Sequence, residues 1–225
     1  MNQSRIKILE KLRIAWAVFC EGGWKKLWWK CRQALWMKKY RTRGIDLEYV
    51  SCKDLGLSEG TYGHHSATPG PELEKVLKTL NIGPRDSIID LGCGKGGALI
   101  TMASFPFAKI AGLEICQEMA AVAEANLSKL GINRLKIYCA NALDFHALDD
   151  FNYIYLYNPF LGEIFEQFIK NLQESLARRP RAITIIYRNP KCHEAGVANG
   201  LFKRINIMEY GPHPWFIYTN TDVAG

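Results

Sequence analysis

Ser87-Ile88-Ile89-Asp90-Leu91-Gly92-Cys93-Gly94-Lys95-Gly96-Gly97 joins a short apolar run to a glycine loop and then to a helix-forming segment. Strand, glycine loop and helix in that order are the setting of a nucleotide-type binding turn. Gly92 and Gly94 remove Cβ atoms where the chain must turn sharply and a ligand comes close to the backbone. Gly92, Gly94 and Gly97 also satisfy G-x-G-x-x-G, which alone fits a dinucleotide site equally well. Asp90 separates the two readings. A diphosphate would be repelled by a carboxylate two residues before the first glycine, whereas a positively charged ligand would be favoured there.

Outward from this loop, apolar runs alternate with helical patterns. Residues 72–80 read as a short helix stopped by Gly83-Pro84. Strands are predicted over 87–91, 110–113, 135–139, 153–157 and 182–187, and helices over 96–104, 117–130 and 162–176. Gly131 closes the helix over 117–130. Strands in alternation with helices predict an α/β three-layer sandwich, a mostly parallel sheet covered on both faces. Two late β-rich runs, 202–210 and 215–219, are joined by Gly211-Pro212. That connection is too short for a parallel crossover, so the seven-strand sheet is expected to end antiparallel.

Two further segments stand at strand ends. Glu114 ends the second strand 24 residues after Asp90, where a carboxylate can accept hydrogen bonds from both hydroxyls of a ribose. Asn141 and Ala142 follow the third strand. They would lie beside an adenine edge, although an Asn there also suits a plain turn.

Asp90 to Gly96 resembles the glycine-rich motif of class I S-adenosylmethionine (SAM) dependent methyltransferases, and Glu114 matches their acidic ribose-binding position. Asn141 stands where many members have Asp. The likeness covers roughly residues 70–220, with several motifs in order at the expected spacing. It implies the seven-strand Rossmann-like fold, SAM as cofactor and methyl transfer as the activity. It also implies a cofactor set of Asp90, Gly92, Cys93, Gly94, Gly96, Glu114, Ile115, Asn141, Ala142 and Asn158. Within the class, residues 62–69 followed by a helix and the loop are similar to bacterial members of unassigned or lysine-methyltransferase-like substrate. An NAD(P) dehydrogenase is disfavoured by Asp90 and the β-rich end.

Tyr157-Asn158-Pro159-Phe160 ends the fourth strand, at the carboxyl edge where ligands bind in such sheets. Members that methylate amino groups often carry Asn/Asp-Pro-Pro-aromatic here, and this chain lacks the second proline. The resemblance implies that Asn158, Pro159 and Phe160 meet the acceptor. The other reading is that Asn-Pro ends the strand and Phe160 is core. Methyl transfer needs an in-line nucleophile about 3 Å from the methyl carbon, in a dry pocket. An amine needs only its lone pair, whereas a hydroxyl usually needs a base. Tyr62, with His64 and His65, reads as a lid or a base, or as a plain exposed loop. Asn189-Pro190, His193 and Glu194 follow the fifth strand on the acceptor side. His146 and His213 read as structural or surface residues. The first acceptor expected is an amine, on a protein lysine or a small molecule. The alternatives are a nucleic-acid base, or a catalytically inactive SAM-fold binding module.

The chain's 225 residues and 48% hydrophobic content suit one such domain plus an extension. Three segments are expected: a basic Trp-rich helical extension over 1–43, a connecting or lid segment over 44–70, and the methyltransferase domain over 71–225. The net charge of +7 is unevenly placed. Residues 1–43 hold twelve Lys/Arg and two Glu, and the remainder holds 17 basic and 20 acidic residues. Five of the six tryptophans (16, 24, 28, 29 and 36) lie in the extension, which reads as helices over 6–21 and 24–40 separated by Gly22-Gly23. Such a segment suits an anionic membrane surface or nucleic acid, or packs its aromatic face on its own domain. The seven cysteines are scattered without a C-x-x-C pair, so neither a disulfide framework nor a metal site is expected, and a reducing cytosol fits best. No secretory signal is read. A cytoplasmic protein, with peripheral membrane attachment through the extension, is the expected setting.

Overall fold

The computed structural model describes residues 3–51, 54, 70–198 and 200–221. A 39-residue helix, α1 (Gln3–Arg41), leads into α2 (Gly70–Leu77) and β1 (Ser87–Leu91). Then come α3 (Gly97–Met102), β2 (Lys109–Glu114), α4 (Gln117–Lys129), β3 (Leu135–Cys139) and a 3₁₀ turn over His146–Asp150. The remainder is β4 (Tyr153–Leu156), α5 (Glu163–Arg178), β5 (Thr184–Arg188), α6 (His193–Ala198), β6 (Arg204–Met208) and β7 (Trp215–Thr219).

The seven strands form one sheet in the order β3-β2-β1-β4-β5-β7-β6. Neighbours from β3 through β5 run parallel, and β7 is antiparallel to both β5 and β6. The last strand in the chain is therefore antiparallel as expected, while β6 forms the outer edge. From β1 the chain winds through β2 to β3 on one side, then returns to lay β4 on the other side of β1. The carboxyl ends of β1 and β4 thus flank a topological switch point, the usual ligand crevice of open α/β sheets.

Strand alternation divides the core between the two sheet faces. Ile88, Tyr155, Ile186, Trp215 and Ile217 face α2 and α3, packing with Leu73, Val76, Leu77, Leu99 and Met102. Ile89, Leu91, Ile154, Leu156, Ile185 and Tyr187 face the other way, toward α5. There Phe165, Phe168, Ile169 and Leu172, spaced as one helical stripe, fill the second core.

The extension differs from its sequence reading. Gly22 and Gly23 do not separate two helices, because the helical hydrogen bonding runs through them as α1. Gly23 takes a left-handed φ of 62° inside it. The C-terminal end of α1 lies on the body, where Trp36, Met37 and Tyr40 pack against the first core. Trp36 comes so close to Gly70 that a Cβ there would lie 2.3 Å from its indole nitrogen. Helix α2 begins at Gly70 and ends at Leu77, earlier at both ends than predicted, and α6 and the 3₁₀ turn were not predicted. Residues 45–48 are a docked strap: Ile45 and Leu47 are buried in the core. Tyr62, His64 and His65 lie outside the described residues, as does most of the expected lid segment.

Candidate active site at the carboxyl edge

The glycine loop is pinned to the end of β2. The N–H groups of Gly92 and Cys93 donate to the Leu113 carbonyl, at 2.8 and 3.0 Å. The Glu114 carboxylate accepts from the Gly94 N–H at 2.8 Å and from the Cys116 N–H at 3.0 Å. One acid therefore holds both the loop and the turn after β2, and it is only 1% exposed.

Asp90, the penultimate residue of β1, lies beside this acid and is 3% exposed. Burial, and then the charge of Glu114, hold its carboxyl well above the usual carboxylate range. A cation bound there would draw it back to the ionised form. Burial, Asp90 and Glu114 likewise push up the Cys93 thiol, which leaves it neutral rather than nucleophilic.

Gly92 has a φ of 76°, and a Cβ on it would lie 2.4 Å from the Pro159 side chain. The loop after β1 and the Asn158–Phe160 turn after β4 are thus in contact across the switch point. Asn158 has a left-handed φ of 48° and is buried. Its carboxamide oxygen accepts from the Tyr187 hydroxyl at 3.0 Å and from the Lys191 N–H at 3.4 Å, which ties the turn to the segment after β5. The Phe160 ring is buried in the second core, 5.7 Å from the Phe168 ring. The Asn141 side-chain oxygen caps its own turn by accepting from the Leu143 N–H at 3.0 Å. Ala142 is half-buried beside it, and Ile115 is exposed next to Glu114.

The acceptor side contains a group that sequence reasoning missed. Arg188, the last residue of β5, is 1% exposed. Its guanidinium carbon lies 4.7 Å from the Tyr157 ring centre and 5.1 Å from that of Trp215. Nη2 meets Glu72 Oε2 of α2 at 2.9 Å, while Nε and Nη1 make no hydrogen bond among the described residues. Burial pushes the Glu72 carboxyl up to about 7, against the pull of Arg188, Arg32 and Lys75. His213, 6.4 Å from the Tyr157 ring, is held below its ordinary pKa by burial and by the charges of Arg188 and Lys191. The signal in the sequence was a charged residue ending an apolar strand. His193, expected to line this side, bonds through Nδ1 to the Tyr218 hydroxyl at 2.9 Å. Among the described residues no cluster of His, Cys, Asp or Glu is fit to hold a metal ion.

The floor of the loop is suited to SAM and poorly suited to a diphosphate. Two buried carboxylates lie where a cation and hydroxyls would be held, and the backbone is bare of Cβ at Gly92.

Residues 88–179 match the family described as methyltransferase domain. Two strains of Methanococcus maripaludis have a similar protein named probable cobalt-precorrin-6B C(15)-methyltransferase (decarboxylating), 26% identical over 113 residues. That match covers 49% of this chain and 59% of the relative's length. Among solved structures, an RNA methyltransferase from Salinibacter ruber in complex with S-adenosyl-L-homocysteine has a TM-score of 0.53 at 14% identity, covering 69% of this chain and 94% of that one. A SAM-dependent O-methyltransferase from Thermotoga maritima also has a TM-score of 0.53, at 20% identity, covering 66% and 64%. Residues 88–179 thus match a methyltransferase domain, and the strand order and glycine loop give the chain the fold of class I SAM-dependent methyltransferases.

Proposed function

We propose that this chain transfers a methyl group from SAM to an amine, on a protein lysine or a small molecule, at the switch point between β1 and β4. The observation that carries this reading is the contact of Gly92 with Pro159, because it sets the donor loop against the turn expected to meet the acceptor. SAM, when bound, supplies an electrophilic methyl group. Asp90 takes the positive amino end of the ligand, and Glu114 takes the ribose hydroxyls. Asn141, Ala142 and Ile115 border the adenine. Cys93, Gly94 and Gly96 shape the loop. Asn158, clamped by Tyr187 and Lys191, fixes the turn that positions the incoming nitrogen, with Pro159 at its surface and Phe160 supporting it from the core.

Electrostatics favours an amine. A nucleophilic amine must arrive neutral. The same positive field from Arg188 and Lys191 that lowers the His213 pKa would lower that of an amine beside it. No dedicated base is then required. A nucleic-acid base is the second acceptor class, favoured by the basic residues 1–43 and disfavoured by the acidic balance of the rest.

Calorimetric titration with SAM, S-adenosylhomocysteine and NAD comes first. Micromolar binding of the two adenosyl ligands without NAD is expected. Methyl-labelled SAM is then offered with lysine-containing peptides, small amines and RNA. Label in the amines supports the proposal, label in RNA replaces its acceptor, and failure to bind either adenosyl ligand overturns it in favour of an inactive binding module.

A further inference from the structure

We infer that α1 is a membrane-surface helix that lays this enzyme on an anionic lipid bilayer. At 1.5 Å per residue the helix is about 58 Å long, and the body meets it along its C-terminal part, from Trp28, over whose ring Lys75 of α2 stands, to Tyr40. Trp36, Met37 and Tyr40 face the first core. The tryptophans therefore differ in exposure. Trp36 packs inward and Trp29 is half-buried, whereas Trp16 is 67%, Trp24 75% and Trp28 58% exposed, with Leu35 at 66%; Arg32 and Lys75 stand over the Trp28 ring at 4.6 and 6.0 Å.

Trp24, Trp28, Cys31 and Leu35 recur at steps of four, three and four residues, which places them on one face of the helix. All four are exposed. Ring contacts of Trp16 with Phe19 and of Phe19 with Trp24, at 5.7 and 4.9 Å, continue the apolar surface across Gly23. Exposed Arg13, Lys30, Lys38 and Lys39 border it. Soluble surfaces rarely leave such a row of large apolar side chains without a partner.

The chemistry selects a lipid surface. Tryptophan prefers the headgroup level of a bilayer, and lysines beside it reach lipid phosphates. Leu35 and the apolar row gain from acyl chains, whereas a single nucleic-acid strand would use only the ring faces and the charge. No helix among the described residues is long and apolar enough to cross a membrane, so α1 would lie in the interface plane. The concentration of positive charge in residues 1–43, against the acidic balance of the remainder, supplies the orientation: helix toward the bilayer, body away from it.

The test is flotation of the full chain with vesicles of phosphatidylcholine, with and without phosphatidylglycerol. Binding is expected only with the anionic lipid, accompanied by a blue shift of tryptophan emission. A Trp16→Ala/Trp24→Ala/Leu35→Ala variant should bind at least about tenfold more weakly. A Lys30→Glu/Lys38→Glu/Lys39→Glu variant should lose about a hundredfold. Both alter exposed residues, so their thermal melts and SAM affinities should match the parent chain. That keeps this test separate from the one for the SAM site. A parent chain that does not float with anionic vesicles, an apolar variant that floats as well as the parent, or capture by single-stranded RNA that anionic vesicles fail to compete away would overturn the inference.

Discussion

The two halves of the carboxyl edge are built with opposite charge. On the donor half, Asp90, the penultimate residue of β1, and Glu114, the last of β2, are two buried carboxylates, and Glu114 accepts from two backbone N–H groups. On the acceptor half, β5 ends in Arg188, enclosed by Tyr157, Trp215 and Glu72, with Lys191 and His213 nearby. Under the proposed function, the donor half would suit a cation and the acceptor half a neutral nucleophile. They also differ in construction. The donor half is held by backbone hydrogen bonds to the Glu114 carboxylate, and the acceptor half by a buried ion pair, Arg188 with Glu72, together with the hydrogen bonds that clamp Asn158.

That difference predicts the largest effect on the acceptor half. Arg188→Met leaves Glu72 buried without its partner and should destabilise the fold by about 3–5 kcal/mol near neutral pH. The Glu72→Gln/Arg188→Met double variant should regain most of this loss in urea denaturation. A double variant as unstable as the single one would break the claim that the pair acts as a unit. The sign of the pH dependence follows from Glu72. Its folded pKa, about 7, lies above its ordinary 4.5, so the folded state holds a proton that the unfolded chain has released. Stability should therefore fall as pH rises from 4.5 to about 7, and the slope should shrink in Glu72→Gln.

On the donor half, Glu114→Ala strands the buried N–H groups of Gly94 and Cys116. A cost of about 2–4 kcal/mol is expected from two unpaired donors, with a matching loss of SAM affinity. Unchanged stability by urea denaturation would mean that the loop holds its own shape.

The halves were unequally legible for a physical reason. Asp90, Gly92, Gly94 and Glu114 are recognisable because strand, loop and helix are consecutive, so local order in the chain is local order in space. Glu72, Tyr157, Arg188, His213 and Trp215 come from four separate stretches, and no spacing rule joins them. The β1, β3 and β7 limits were read to the residue, because a short apolar run between turn residues leaves little freedom. The extension was misread at Gly22-Gly23, since a glycine weakens a helix without necessarily ending it. Phe160 shows the same ambiguity: an aromatic residue after a strand suits a pocket or a core, and here its ring lies against Phe168.

Smaller effects concern ligand binding. Asp90→Ala should weaken SAM by about 1–3 kcal/mol, the cost of one charge-assisted hydrogen bond. The raised pKa of Asp90 adds a sharper test. A cationic ligand favours its ionised form, so SAM should release a proton on binding, and affinity should increase as pH rises toward that pKa. Titration in buffers of different ionisation enthalpy would detect the release in the parent and its loss in the variant.

The weakest link is the strap outside the donor loop. Asn126 accepts from the Asp46 N–H at 2.9 Å, and its Nδ2 donates to the carbonyls of Asp46 and Lys95. Lys95 Nζ lies 2.7 Å from Asp46 Oδ2, which is about half exposed. Burial opposes ionisation of Asp46, but hydrogen bonds from Lys95 and the Glu48 N–H prevail and hold its carboxyl below the ordinary value. This stabilisation is present above the ordinary aspartate pKa and disappears as pH falls through the lowered one. Because water and salt reach the pair, Asp46→Asn should cost less than about 1 kcal/mol, and high salt should erase the difference. Asn126→Ala should cost more than Asp46→Asn, since it leaves the part-buried N–H and carbonyl of Asp46 and the carbonyl of Lys95 without this partner. Should the two variants prove equal in urea denaturation, the strap would be held by the apolar contacts of Ile45 and Leu47 rather than by its polar fastening.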